Sequence, residues 1–336
     1  MTTLTTTTTT TQARAPEEER EFWDELNASY EYAYRDNALK TACVEAAISL
    51  LLLLALELEN SSSEPSLRVL DVGCGTGVPV ARMLDAAAGG TRRIRVAGID
   101  ASPAMVALAR VRVPGGDFAV ADMTTCDFSP RPFRSSSSSR DKEDEEEEEE
   151  QKLAGVFIMF SHLGLSYAAF ADVAFRCAAA LRPGGILAIG QCPCDAYVAA
   201  SSSSGSGSEE GGQDQVGDGD GDGDGDGDGD GETNNTRSSS SYYVENLDIP
   251  FWGKPFPTLA FSERGLLDFL RSMGLEVVYN DVGVFRPNRP GGGEGFAPEH
   301  QQYAIARRPP ATTADGGDGG RKPGLRPRLV SKKAPA

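Results

Sequence analysis

Asp71-Val72-Gly73-Cys74-Gly75-Thr76-Gly77 joins a short apolar run, Leu67 to Leu70, to a helical pattern made by Val80, Ala81, Met83 and Leu84. A strand, a glycine-rich turn and a helix start are read in that order. Glycines in such a turn let the backbone come close to a ligand and take dihedrals closed to other residues. The helix start beyond them offers free N–H groups and positive potential. Asp71, two residues ahead of the first glycine, narrows the ligand: it would repel a pyrophosphate but not a cationic or hydroxyl-rich group. A dinucleotide turn needs G-x-G-x-x-G. Counted from Gly73, its third glycine falls at Val78.

Helices and strands alternate along the rest of the chain. The stretch 22–58 reads as one or two helices with a break near Asp36-Asn37. The strand ending at Val72 is followed by a helix to about Ala88, closed by Gly89-Gly90. A strand over 94–99 stops on Asp100, and Ser102-Pro103 opens a helix carrying Met105, Val106, Leu108, Ala109 and Val111. A short strand over 118–121 ends on Asp122, and 155–160 reads as a buried strand. Ser166 caps a helix to Leu181, a Pro183-Gly184-Gly185 turn leads into a strand over 186–189, and Ser262 caps a helix closed by Gly274. The last two strands, 275–285 and 301–306, have no helix between them and can pair antiparallel. The expected fold is α/β: a Rossmann-like, seven-stranded, mostly parallel sheet with an antiparallel terminal hairpin and helices on both faces.

Several segments lack the apolar residues that would offset the entropy of ordering them. They are the Thr-rich N-terminus, the Ser and acidic stretch 134–151, the Ser, Gly and Asp-Gly stretch 201–241, and the Pro, Gly and Arg/Lys-rich end. The organisation that follows is a disordered tail over 1–16, one domain over 17–308 with low-complexity inserts at 134–151 and 201–241, and a second disordered tail over 309–336. Without the inserts the domain has roughly 235 residues, an ordinary size for one core. The Asp-Gly repeat lacks both the apolar positions of calcium-binding nonapeptides and the closing Glu of an EF-hand loop, and reads as a solvated linker.

The net charge of −18 is local. Residues 141–150 hold nine acids and one lysine, residues 201–232 hold eleven acids and no base, and the remainder of the chain carries +1. Nucleic acid is therefore not an expected partner. The six cysteines form no C-x-x-C pair and there are two histidines, so no metal site is expected. Reduced thiols and the absence of a secretory pattern near the N-terminus point to a cytoplasmic protein. The longest apolar run, Leu50 to Leu56, is far short of a membrane span and is expected to finish a buried helix. No membrane partner is expected, and the sequence leaves the oligomeric state open.

The D-x-G-x-G-x-G order, the acids closing the second and third strands, the Leu181-Arg182-Pro183-Gly184-Gly185 turn and the terminal hairpin together resemble class I S-adenosylmethionine-dependent methyltransferases. The resemblance covers about residues 20–308 apart from the inserts. It implies S-adenosyl-L-methionine as cofactor, with Asp71 near the cationic methionine moiety, and Gly73, Cys74, Gly75, Thr76 and Gly77 forming the turn beneath it. Asp100 would accept the ribose hydroxyls. Ala101 and Met105 would border the adenine, and Asp122 and Met123 would meet its amino group. Phe160, at the end of strand four, would face the transferred methyl, and Tyr30 would come from an N-terminal helix covering the cofactor.

His162 stands just beyond strand four, where an acceptor would be positioned, and is the candidate catalytic base. Methyl transfer needs chiefly in-line placement, so a base is not obligatory. Phe251, Trp252 and Phe256 are expected to wall a pocket for an apolar or aromatic small molecule. The chain has Phe160-Ser161-His162-Leu163 where adenine and glutamine N-methyltransferases tend to carry Asn/Asp-Pro-Pro-Tyr. The expected activity is methyl transfer to an O, N or C atom of a small metabolite. A protein methyltransferase and a cofactor-binding protein without catalysis are the alternatives. A nicotinamide-dependent oxidoreductase would require glycine at Val78.

Overall fold

The computed structural model describes residues 16–59, 67–89, 94–128, 152–198 and 242–310. The expected tails, but for Pro16 and residues 309–310, and both inserts lie outside them. Two helices lead, α1 (Pro16–Tyr34) and α2 (Ala38–Glu59). The main unit follows as β1 (Leu67–Val72), α3 (Val80–Ala88), β2 (Ile94–Asp100), α4 (Pro103–Arg112), β3 (Asp117–Val120), β4 (Leu153–Met159), α5 (Tyr167–Ala180) and β5 (Leu181–Gln191). A hairpin, β6 (Tyr243–Phe251) and β7 (Lys254–Phe261), precedes α6 (Glu263–Ser272), β8 (Glu276–Phe285) and β9 (Glu299–Arg307).

Seven strands form one sheet in the order β3-β2-β1-β4-β5-β9-β8. β1 to β5 pair in parallel, and β9 runs antiparallel to both its neighbours. This is the expected sheet, terminal hairpin included. The chain leaves β1 toward β2 and β3 on one side, then crosses to β4 and β5 on the other. The crevice at the C-terminal ends of β1 and β4 is therefore the switch point at which open α/β sheets bind ligands.

Alternation of side chains sorts the core into two faces. Leu67 and Val69 of β1 pack with Val44, Ala47, Leu51 and Leu54 of α2, Leu84 of α3 and Val106 of α4. Leu70 and Val72 face Phe170, Val173 and Cys177 of α5 and Leu266, Phe269 and Leu270 of α6. β4 is buried at every position, as a central parallel strand is. Full burial of each large side chain contributes about 1.5–3 kcal/mol.

Local signals fix the ends of these elements. The Ser102, Ser166 and Ser262 hydroxyls accept from the N–H groups of Met105, Ala169 and Gly265 and cap α4, α5 and α6. Asn37 separates α1 from α2, and its side-chain oxygen accepts from the Lys40 N–H at 3.0 Å.

Three expectations need correction. The 181–185 segment is part of β5, which pairs with β4 at Leu153 and resumes at Gly155 after a register shift. The Pro-rich 243–261 stretch, to which the sequence assigned no strand, is a two-stranded sheet. The leucine run does finish a helix, but that helix is buried on one side only: Leu51 and Leu54 pack inward, whereas Leu52, Leu53 and Leu56 are 38%, 51% and 52% exposed. By length and composition alone α2 could cross a membrane; here its inner face packs on the sheet.

Candidate active site

The β1–α3 turn brings its backbone to the switch point. Gly73, Gly75 and Gly77 all have positive φ. Gly73 and Cys74 donate their N–H groups to the Ile99 carbonyl at 2.8 and 2.9 Å, which locks the turn to the end of β2. A Cβ on Gly73 would stand 2.1 Å from the Ser161 Cβ, so the close approach of β1 and β4 admits glycine alone there. The Ser161 hydroxyl donates to the Val72 carbonyl at 2.5 Å and pins the β4 end in place.

Asp100 ends β2 beside this turn. Its Oδ2 accepts from Gly75 N–H at 2.8 Å and its Oδ1 from Ser102 N–H at 2.9 Å. Burial pushes its pKa up, and these two N–H groups oppose that. Each oxygen keeps a second lone pair for a ligand. Asp122 follows β3, with Oδ1 accepting from the Thr124 N–H and hydroxyl at 2.8 Å each.

A cavity of about 250 Å³ lies against these groups. Gly73, Gly75, Asp100, Ala101, Met105, Asp122, Met123, Phe160 and Tyr30 line it, so nine residues expected from sequence converge on one space. Phe160 takes φ +63, an uncommon conformation for a bulky residue, held by its N–H bond to Gly190 O at 3.0 Å and by the Tyr303 ring at 5.5 Å. Strain of this kind is concentrated at functional sites.

The helix α1 covers the cavity. Arg20, Trp23 and Tyr30 contribute to its wall. Asp24 accepts from the Ser102 hydroxyl and from Ala104 N–H, and Glu31 pairs with Arg112, which fastens α1 to α4 at both ends of the contact. Sequence reasoning missed Arg20 and Trp23. The seven-residue interval from Trp23 to Tyr30, two helical turns, puts both on one face and was a usable signal.

Other expected residues stand elsewhere. Cys74 is part of the core cluster, Thr76 is buried, and Gly77 lies against Ala109 and Val113; these three build the turn and do not line the cavity. Asp71 is buried behind the turn, in electrostatic contact with Lys40 and Asp100, and does not line it either. Phe251 and Phe256 back the wall from outside, 5.7 and 6.4 Å from the Trp23 ring. Trp252 is turned away onto Phe296 at 4.7 Å.

His162 is the clearest correction. It is wholly buried, stacked on Phe170 at 4.3 Å, outside the cavity wall. Neither ring nitrogen has a partner among the described residues. Burial holds its pKa down to about 3, so the ring is neutral and a poor proton acceptor. Position after β4 suggested the acceptor side; the packing of α5 takes the ring into the core instead. Replacing it with phenylalanine, H162F, is expected to leave stability within about 1 kcal/mol of the parent or raise it, since no hydrogen bond is lost. Donor binding should be unchanged; thermal unfolding and calorimetry check both.

Among the described residues no group of three His, Cys, Asp or Glu side chains could hold a metal ion. The cavity wall combines carboxylates, apolar side chains such as Met105 and Met123, and bare glycine backbone.

Residues 69–141 match a family model described as a methyltransferase domain, a stretch that includes Asp71, the glycine turn, Asp100 and Asp122. That match puts a methyltransferase-domain likeness on the stretch that carries the turn, within a sheet of Rossmann-like order. Among solved structures, a methyltransferase from Anabaena variabilis is 10% identical, with 89% of this chain and 97% of that one covered and a TM-score of 0.45. Magnesium protoporphyrin IX methyltransferase from Synechocystis is 12% identical over 87% and 99%, with a TM-score of 0.41. The 1,6-didemethyltoxoflavin-N1-methyltransferase from Burkholderia thailandensis is 17% identical over 89% and 92%, with a TM-score of 0.42. No curated protein sequence matches the chain.

Proposed function

We propose that the protein transfers a methyl group from S-adenosyl-L-methionine to an O, N or C atom of a small metabolite, apolar or aromatic in character. The observation that carries this is the convergence of Asp100, Asp122, Gly73, Gly75 and Phe160 on one cavity at the switch point. Asp100 would hold the ribose, Ala101, Met105 and Met123 the adenine, and Asp122 its amino group. The bound cofactor supplies an electrophilic methyl carbon on a positively charged sulfur.

The chain's own residues place and enclose that group. Phe160 and Ser161 hold the methyl-facing end, and Trp23 and Tyr30, backed by Phe251, exclude water from it. The titratable side chains of the cavity wall are Arg20, Tyr30, Asp100 and Asp122. Among the described residues the lining holds no histidine or lysine, and in-line placement of donor and acceptor is what the reaction chiefly needs. Six free cysteines and the net acidity of the described residues fit a cytoplasmic enzyme that does not act on nucleic acid.

Incubation with methyl-labelled S-adenosylmethionine and a fractionated cell extract tests this. Label should appear in low-molecular-weight material. Label confined to protein would favour a protein methyltransferase, and none anywhere, with donor binding intact, would favour a binding protein without catalysis.

A further inference from the structure

Three charged side chains are buried together behind the cavity wall: Lys40 of α2 (4% exposed), Asp71 of β1 (2%) and Glu299 of β9 (4%). Lys40 interacts with both carboxylates through space, and among the described residues it makes no direct ion pair with either. Its ammonium lies 5.5 Å from the centre of the Phe160 ring and 5.9 Å from that of Tyr30, and both rings wall the cavity. Glu299 accepts from the Tyr34 hydroxyl at 2.5 Å and from Gln301 Nε2 at 2.9 Å. The Tyr34 ring lies 4.6 Å from the Tyr30 ring. The fold thus keeps two carboxylates against one ammonium, an acidic excess, beside the methyl-facing end of the site.

Such an excess is costly to bury and needs a cation to offset it. On the function proposed above, on which this inference rests, the donor enters as a sulfonium and leaves as a neutral thioether. We infer that Glu299 carries the balancing charge: ionised while the cationic donor is bound, protonated once the methyl group has left. The bond from methyl carbon to sulfur breaks with its electron pair staying on sulfur. A bond from the acceptor atom forms from that atom's lone pair, and the acceptor releases one proton. The count closes with one proton taken up at Glu299. Glu299 does not line the cavity, so it is a positioning residue acting through its charge rather than a catalytic one.

The groups facing Glu299 are Tyr30 and Tyr34 from α1, Lys40 from α2, Cys192 and Tyr197 beyond β5, and Gln301 of its own strand. Burial raises its pKa to about 7, while Tyr34, Gln301 and Lys40 favour the ionised form. Asp71, also raised to about 7 by burial, faces Lys40, Asp100 and Cys74. The amino-acid portion it would meet is common to donor and product, so its titration cancels between the two ligands.

Calorimetric titration of the full chain at pH 7, in buffers of different ionisation enthalpy, counts protons released on binding S-adenosylmethionine and S-adenosylhomocysteine. The parent should release about one proton more with the sulfonium ligand than with the thioether. In E299Q that excess should vanish while the affinity for S-adenosylhomocysteine stays within about threefold. No excess in the parent, or an undiminished excess in E299Q, overturns the inference. Should E299Q fail to fold, Y34F decides: removing the donor that favours the ionised form must move the excess to higher pH, and an unmoved profile overturns the inference. Absence of S-adenosylhomocysteine binding to the parent would instead bring down the donor assignment itself, a result distinct from either proton count.

Discussion

Replacing Gly73 with alanine is expected to cost about 2–4 kcal/mol of stability and to weaken donor binding at least tenfold. Two effects add. Gly73 has φ +73, a region that side chains enter at a penalty. The new Cβ would also stand 2.1 Å from the Ser161 Cβ and 2.7 Å from its Oγ. Ser161 cannot step aside freely, because its hydroxyl holds the Val72 carbonyl. Either the turn or the end of β4 must shift, and both line the cavity. Gly253 is the internal control: its φ is +75, yet a Cβ there meets nothing within 4 Å. G253A should therefore show only the conformational penalty of about 1 kcal/mol, with donor affinity unchanged. Denaturant unfolding of the two variants separates strain from collision; equal losses in both would contradict the collision account.

Asp100→Ala is expected to weaken S-adenosylhomocysteine binding about 100-fold. Two charge-assisted hydrogen bonds to ribose would be lost, and about 3 kcal/mol is a moderate figure for such a pair. The loss has a structural part as well, because the Gly75 and Ser102 N–H groups lose their acceptor and the turn is no longer tied to α4. Asp100→Asn keeps one carbonyl oxygen and should fall between parent and alanine variant. Titration calorimetry ranks the three. A ranking in which alanine equals the parent would remove Asp100 from the ribose and with it the orientation of the nucleoside in the cavity.

Much of this architecture was legible because it is locally encoded. The glycine turn, the serines at three helix starts and the acids closing β2 and β3 each follow from short stretches of sequence, and Asp100 and Asp122 come to the cavity because parallel strands deliver their C-terminal ends to one edge. The β6–β7 hairpin was hidden because Pro250, Pro255 and Pro257 argue against a strand, proline being admitted to one only at an edge. His162 was misplaced because sequence gives its position after β4 but not the packing of Phe170 over it. The Lys40, Asp71 and Glu299 cluster joins three distant parts of the chain, so no local pattern could announce it. One trace was present: Lys40 is the sole basic residue of α2, one turn from the apolar Cys43 and Val44, a placement that invites a partner.

The wall over the cavity is shaped by tertiary contacts as well. Trp23, Tyr30, Tyr34, Phe251 and Phe256 come from α1 and the hairpin to form one aromatic wall. Rings packed this way gain from edge and tilted contacts beyond simple area burial. They leave an apolar boundary over the methyl-facing end, which is why the proposed acceptor is apolar or aromatic.

The central claim is that the switch-point cavity holds the nucleoside of S-adenosylmethionine and not a dinucleotide. Titration calorimetry of the full chain with S-adenosylhomocysteine and, separately, with NAD tests it most directly. One equivalent of S-adenosylhomocysteine should bind, about 100-fold more weakly in D100A, with no heat from NAD. Binding of NAD, or no binding of S-adenosylhomocysteine to a folded chain, would contradict it.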